Sequence, residues 1–345
     1  MKRIIVTLIA LVAVAAIAGG LWITSVLDRP YKGYTDAEVF VEIPPGTGST
    51  GMGHRLAQAG VVQNATAFRA AVWLRGAGRR LQAGEYRFDQ PMTPREVVDK
   101  LARGDVYLQP ITFREGLTIR QMAALYSEKG MGSAEDFASA ARDASRIQEL
   151  DPEARDLEGY LFPDTYALPR KATADQLVTR MVQQAEKVLT ADLVARASAR
   201  GLSVRQLVTL ASIVEKETGR PDERPLVAAV YANRLKIGMG LQCDPTVIYA
   251  LERAGKFDGN LTREDLKFDS PYNTYRYAGL PPGPIASPGL ASLEAAANPA
   301  DVSYLYFVSR NDGSHAFATT LDEHNRNVER YQRQYFRDKR QREQQ

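Results

Sequence analysis

The stretch Leu202-Ser203-Val204-Arg205-Gln206-Leu207-Val208-Thr209-Leu210-Ala211-Ser212-Ile213-Val214-Glu215-Lys216-Glu217-Thr218 decides how this chain is read. Ser203 supplies an N-cap, and apolar residues then recur on every side of the helix that follows. Such a helix is buried, so its half of the chain is expected to have a largely helical core. Two carboxylates at the end of a buried helix are unusual. A helix C-terminus carries partial negative charge, and both this and burial favour a protonated carboxyl. A Glu kept protonated near neutral pH is what general-acid chemistry on a glycosidic oxygen requires. Glu215 and Glu217 lie about 200° apart on a helix, so only one can face a given cleft. Glu215 shares its side with Val208, Ala211 and Ser212, Glu217 with Leu210 and Ile213, and periodicity does not choose between them. For an arbitrary Glu-x-Glu the commoner case is a solvated or paired carboxylate, and Lys216, Arg220, Arg224 and Arg234 are available as partners.

Working toward the C-terminus, Glu223 to Ile237 is amphipathic and ends at Gly238 and Gly240. Asp244-Pro245 opens a short helix over Thr246 to Arg253, and Ser270 to Gly289 is loop, dense in Pro, Gly and Tyr. Leu305 to Ser309 reads as a buried strand paired with His315 to Thr319 across an Asn-Asp-Gly turn, with a last helix starting near Leu321.

Working toward the N-terminus, shorter elements alternate. Val39 to Ile43 is a strand, Met52 to Ala59 and Thr66 to Leu74 are helices, and Gly84 to Phe88 is a second strand. Thr93 with Glu96 forms a capping box for another helix. Ile111 to Phe113 and Ile119 to Glu128 start the pattern again: Val41, Ile43, Gly46, Met52 and Gly60 match Ile111, Phe113, Gly116, Met122 and Gly130 at an offset of seventy. The reading is two small α+β units in tandem, 39–105 and 110–182.

Ile4 to Ile23 is twenty residues without a charge, enough to span the roughly 30 Å of a bilayer core. Lys2 and Arg3 precede it, so the rest of the chain is expected on the far side of the membrane. Ala16-Ile17-Ala18 also fits a signal-peptide cleavage site, but Leu21, Trp22 and Ile23 continue the apolar run beyond it and favour an uncleaved anchor.

The 345 residues hold 44 Lys plus Arg against 41 Asp plus Glu, with 44% hydrophobic side chains. These are globular proportions, which exclude a disordered chain and a polytopic membrane protein. The net +3 misleads. Two charges lie at residues 2 and 3 and a net four on the tail from Arg330, leaving about −3 for the body. A nucleic-acid footprint is not supported. One Cys (Cys243) and three His exclude an intramolecular disulfide and leave little for a metal site, so neither metal nor cofactor is expected.

Residues suited to a sugar gather in two places. Tyr272, Asn273 and Tyr275 would stack on pyranose rings and bind hydroxyl or acetamido groups, unless they simply anchor a Pro-rich loop. Gln242, Asp244 and Thr246 form the second cluster, and Asn233 with Arg234 could orient either glutamate. His315 and His324 read as structural.

Several motifs then fall in one order: LEGYLFPDTY (157–166), ASIVEKET (211–218), NRLKIGMGLQCDPTVIY (233–249), SPYNTY (270–275), GLPPGPIASPG (279–289), YLYFV (304–308), GSHAF (313–317) and EHN (323–325). Together they resemble the MltG/YceG family of membrane-anchored endolytic murein transglycosylases. Departures are Cys243, where the family more often has Thr, and Ser287, where Asn is frequent. The resemblance implies an α+β chain organised as a cytoplasmic tip and transmembrane anchor (1–27), a linker and LysM-like unit (28–109), a second α+β unit (110–182), a catalytic core (183–338) and a basic tail (339–345). It implies Glu215 as the catalytic acid; Asn233, Gln242, Asp244, Tyr272, Asn273 and Tyr275 are the candidate substrate contacts by their own chemistry and position. The implied reaction cuts the β-1,4 bond between N-acetylmuramic acid and N-acetylglucosamine within a strand, leaving a 1,6-anhydro end. The implied setting is single-pass in the inner membrane with the bulk periplasmic, acting on peptidoglycan beside its synthases. A non-catalytic peptidoglycan-binding scaffold and a water-using muramidase are the alternatives.

Overall fold

The computed structural model describes residues 24–343 together with Val14. The expected anchor, Ile4 to Ile23, therefore lies outside the described residues apart from Val14. Among the described residues no helix is long and apolar enough to cross a membrane. They form a mixed α+β structure, mostly helical, with small two-stranded sheets. The chain divides into two compact units, Met1–Gln109 with Ala167–Lys171, and Pro110–Tyr166 with Ala172–Gln345.

In the first unit the alternation of β1 (Val39–Ile43) buries Val41 and Ile43 on one face. Helices α1 (Ser49–Gln58) and α2 (Ala65–Leu74) follow, then β2 (Gly84–Phe88) and α3 (Pro94–Arg103). β1 and β2 pair antiparallel with Val41 opposite Tyr86. Ile43, Leu56, Phe68, Tyr86, Phe88 and Leu101 meet in one core. The capping box of α3 is formed: Glu96 N–H donates to Thr93 Oγ1 at 3.2 Å and Thr93 N–H to Glu96 Oε2 at 2.7 Å.

The same element order returns in β3 (Gln109–Thr112), α4 (Ile119–Glu128), α5 (Ala134–Ala141), β4 (Thr165–Leu168) and α6 (Ala174–Val188). α1 and α4 both span ten residues, and their first residues are seventy apart. The second copy is longer before its closing strand, and that extra length carries Leu157-Glu158-Gly159-Tyr160. Gly159 has φ +85°, and a Cβ there would lie 2.4 Å from Pro284 Cβ, so glycine is required both by backbone angle and by close approach.

The helical core follows as α7 (Ala191–Ser198), α8 (Val204–Glu217), α9 (Arg224–Lys236), α10 (Asp244–Arg253) and α11 (Leu290–Ala297). Every residue of α8 from Leu207 to Val214 is buried, because α7, α9, α10 and α11 pack around it. Ser203 caps it as expected, accepting from Gln206 N–H at 3.2 Å. β5 (Tyr306–Ser309) and β6 (His315–Ala318) pair antiparallel, with Asn311 at φ 63° in the turn. β5 is half-buried along its length rather than buried, since its sheet has only two strands and covers α9 from one side. α12 (Leu321–Val328) and α13 (Tyr335–Glu343) close the described chain.

Candidate active site

The two glutamates at the end of α8 leave on opposite sides, as a 200° separation dictates. Glu217 turns inward. Its Oε1 accepts from Tyr231 O–H at 2.5 Å, and burial, before any other influence, pushes its carboxyl above the usual range. The same burial raises the neighbouring Tyr231 phenol and Cys243 thiol. Glu215 turns toward a cleft of about 760 Å³ lined by Thr112, Arg114, Glu115, Gln121 and Lys216 among others.

Three donors converge on Glu215. Oε2 accepts from Ser292 O–H at 2.7 Å and from Gly289 N–H at 3.1 Å, and Oε1 lies 3.3 Å from Arg224 Nη2. Arg224 is positioned in turn, its Nε donating to Ser292 Oγ at 3.1 Å. The Glu215 side chain is 7% exposed, so its orientation is imposed by these partners while its edge meets the cleft. Glu115 enters from the loop after β3, with Oε2 3.6 Å from Arg224 Nη2 and a side chain 46% exposed. Burial, and then the charge of Glu215, push its carboxyl upward. Two backbone bonds clamp this loop to the 280s segment, Gly116 N–H to Ser287 O at 2.8 Å and Ser287 N–H to Leu117 O at 2.9 Å. Lys216 Nζ also donates to Gly116 O, at 3.2 Å.

Sequence reasoning missed Glu115, Gly289 and Ser292, and named Arg224 only as one of four cations. Glu115 carried a visible signal, the Glu-Gly between a strand and a capped helix. Ser292 carried none, because α11 is Leu-Ala-Ser-Leu-Glu-Ala-Ala-Ala, without a polar face.

None of the six expected substrate residues lines the cleft of Glu215. Tyr272 borders a different cleft of about 760 Å³, its ring 5.0 Å from that of Tyr249 and beneath the Arg253 guanidinium. Gln242, Asp244 and Tyr275 line a cavity of about 260 Å³ with Glu217 and His324, and Tyr275 O–H donates to Asp244 Oδ1 at 2.6 Å. Thr246 is buried against Thr274, 2.9 Å between hydroxyl oxygens, so the two expected sugar clusters interlock.

Asn233 and Asn273 serve the backbone. The Asn233 amide donates to Val302 O and Tyr304 O at 2.8 and 2.9 Å. Arg234 likewise holds the carbonyls of Leu305 and Leu241. Asn273 is fully buried, donating to Leu266 O and Phe268 O and accepting from Tyr275 N–H. Asn273→Ala strands those groups and is expected to cost on the order of 2–3 kcal/mol in denaturant unfolding. A loss below about 0.5 kcal/mol would mean the loop does not depend on it. His315 Nδ1 sits 2.6 Å from Glu223, and His324 stacks on Tyr306, both structural contacts. Among the described residues no group of His, Cys, Asp and Glu is arranged to hold a metal ion.

A family model described as the YceG-like family matches residues 41–330. An endolytic murein transglycosylase of Bacillus subtilis is 34% identical over 321 residues, covering 88% of each chain. An endolytic murein transglycosylase of Streptococcus pneumoniae is 30% identical over 361 residues, covering 95% of this chain and 65% of that protein. Among solved structures, the crystal structure of a yceG-like protein from Listeria monocytogenes matches with a TM-score of 0.58 at 33% identity, over 85% of this chain and 99% of that one.

Proposed function

The chain belongs to the YceG-like family, and from that premise we propose that it is a peptidoglycan lytic transglycosylase whose acid is Glu215. The observation that carries the assignment is the carboxyl of Glu215, held by Ser292, Gly289 and Arg224 at the edge of the larger cleft, whereas Glu217 is bonded to Tyr231 and borders only the cavity of about 260 Å³. In this reading Glu215 gives its proton to the oxygen bridging N-acetylmuramic acid and N-acetylglucosamine, and the bond from that oxygen to C1 breaks. The muramyl 6-hydroxyl oxygen bonds to C1, and its proton passes to the Glu215 carboxylate. The sugar supplies its own nucleophile, so a 1,6-anhydro end forms, no water is consumed and the acid is restored. The hydrogen bonds from Ser292 and Gly289 fix the carboxylate plane, which keeps one oxygen aimed at both transfers.

A strand extends beyond the reacting bond, and Tyr272, Gln242, Asp244 and Tyr275 are the proposed contacts for its outer sugars. The first α+β unit acts as a LysM-like glycan-binding module. Ile4 to Ile23 anchors the chain in the inner membrane with the bulk periplasmic, where cutting nascent strands beside their synthases sets glycan length.

The test is to incubate the protein with purified peptidoglycan and weigh the products. Fragments with anhydro ends are expected. Fragments heavier by one water would place the reaction with the hydrolases, and intact strands would leave only a binding scaffold.

A further inference from the structure

Arg224 stands between two carboxylates. Its Nη2 is 3.3 Å from Glu215 Oε1 and 3.6 Å from Glu115 Oε2, so neither acid has it to itself. The arrangement depends on residue 289 lacking a side chain: a Cβ there would lie 1.8 Å from Glu115 Oε1. Gly289 also donates its N–H to Glu215, so one residue both holds the first carboxylate and admits the second. Glu115 belongs to a loop clamped by backbone hydrogen bonds to Ser287 and by Lys216, which sets its distance from Glu215.

We propose that Glu115 is a positioning residue of the reaction centre, sharing Arg224 with Glu215 so that one proton is held between the two side chains. The inference rests on Glu215 being the acid, as read above. Two adjacent carboxylates facing one guanidinium leave an uncompensated negative charge when both are ionised, and the pair binds one proton more tightly than an isolated carboxylate would. Ser292, Gly289 and Arg224 all donate to Glu215. Glu115, by its charge and its claim on Arg224, is placed to act against those donors. The raised carboxyl of Glu115, caused by burial and by Glu215, agrees with this coupling. The other charged side chains on the cleft are Lys216, Arg114 and Lys129, all cationic. Among the described residues lining the cleft, Glu115 is the one carboxylate beside Glu215.

The experiment measures kcat/KM on purified peptidoglycan from pH 5 to 9 for the full chain and for Glu115→Gln, Glu115→Asp and Glu215→Gln, with a melting curve for each. Removing the Glu115 charge makes the remaining acid easier to ionise, so the alkaline limb of the Glu115→Gln profile is expected to move down by about one pH unit. Its rate near pH 7.5 should fall about ten- to a hundredfold. Glu115→Asp keeps the charge and is expected to hold the limb at the wild-type pH even where its rate falls. An unmoved limb in Glu115→Gln, or one displaced equally by Asp and Gln, overturns the proposal, because charge would then not be the variable. Glu215→Gln tests the underlying reading separately: if it still cleaves, the acid is misassigned whatever Glu115 does.

Discussion

Glu215→Gln is expected to stop glycan cleavage, lowering kcat by on the order of 10³-fold while the protein stays folded. The amide keeps an oxygen that can accept from Ser292 and Gly289, and it retains the volume of the carboxyl. It has no acidic proton to give and cannot later accept one from the 6-hydroxyl, so both transfers fail together. Arg224 retains Ser292 and Glu115 as partners, which limits the stability loss to roughly 1–3 kcal/mol. Glu217→Gln is the comparison that separates the two glutamates. Glu217 accepts from Tyr231 and borders only the smaller cavity, away from the cleft of Glu215, so its replacement should change stability and reduce cleavage far less. Steady-state rates on purified peptidoglycan decide between them. Cleavage lost in Glu217→Gln and kept in Glu215→Gln would reverse the assignment.

That two-sided test reflects what the sequence could reveal. The helix was expected over 202–218 and spans Val204–Glu217, because a capping Ser203 and apolar residues on all sides are local signals. Its phase was equally legible: two glutamates two residues apart had to diverge. Which one met the larger cleft was not, since Glu115 and Ser292 approach from chain positions 100 and 77 residues away and leave no periodic trace. The asparagines show a different limit. An amide that can bind an acetamido group can equally bind a backbone carbonyl, and in a loop crowded with Pro and Gly the unpaired carbonyls are nearer than any ligand. Asn273 went that way, and Asn233 does the same from helix α9, reaching the carbonyls of Val302 and Tyr304 ahead of β5. The repeat was readable where its two copies keep one offset, β1 through α1 against β3 through α4, and blurred after α5, where the second copy lengthens.

That lengthened segment carries the second large expectation, a stability that falls as pH rises. Glu158 is buried, with Oε1 accepting from Ile119 N–H at 3.1 Å and Oε2 from Tyr249 O–H at 3.2 Å. Burial pushes its carboxyl up to about 8, and Asp156 adds to the rise; the two hydrogen bonds and Arg253 oppose it without cancelling it. In the unfolded chain the same group titrates near 4.5. Between these values the folded state holds the proton and the unfolded state has lost it. The folded state therefore binds more protons, and unfolding becomes easier with each step up in pH. The slope from one group is at most on the order of 1 kcal/mol per pH unit, present from about pH 4.5 to about pH 8 and absent below. Glu158→Gln removes the titration while leaving an oxygen for Ile119 N–H and an N–H₂ that can donate to the Tyr249 hydroxyl. The variant is expected to match or trail the wild type at pH 5 and to exceed it by about 1–3 kcal/mol at pH 8, in urea unfolding of both proteins across that range. Glu217, whose carboxyl is also raised by burial, gives both proteins a slope of the same sign and cancels in the difference. Parallel stability curves for the two proteins would show that Glu158 is already ionised in the fold, and that Ile119, Tyr249 and Arg253 outweigh its burial.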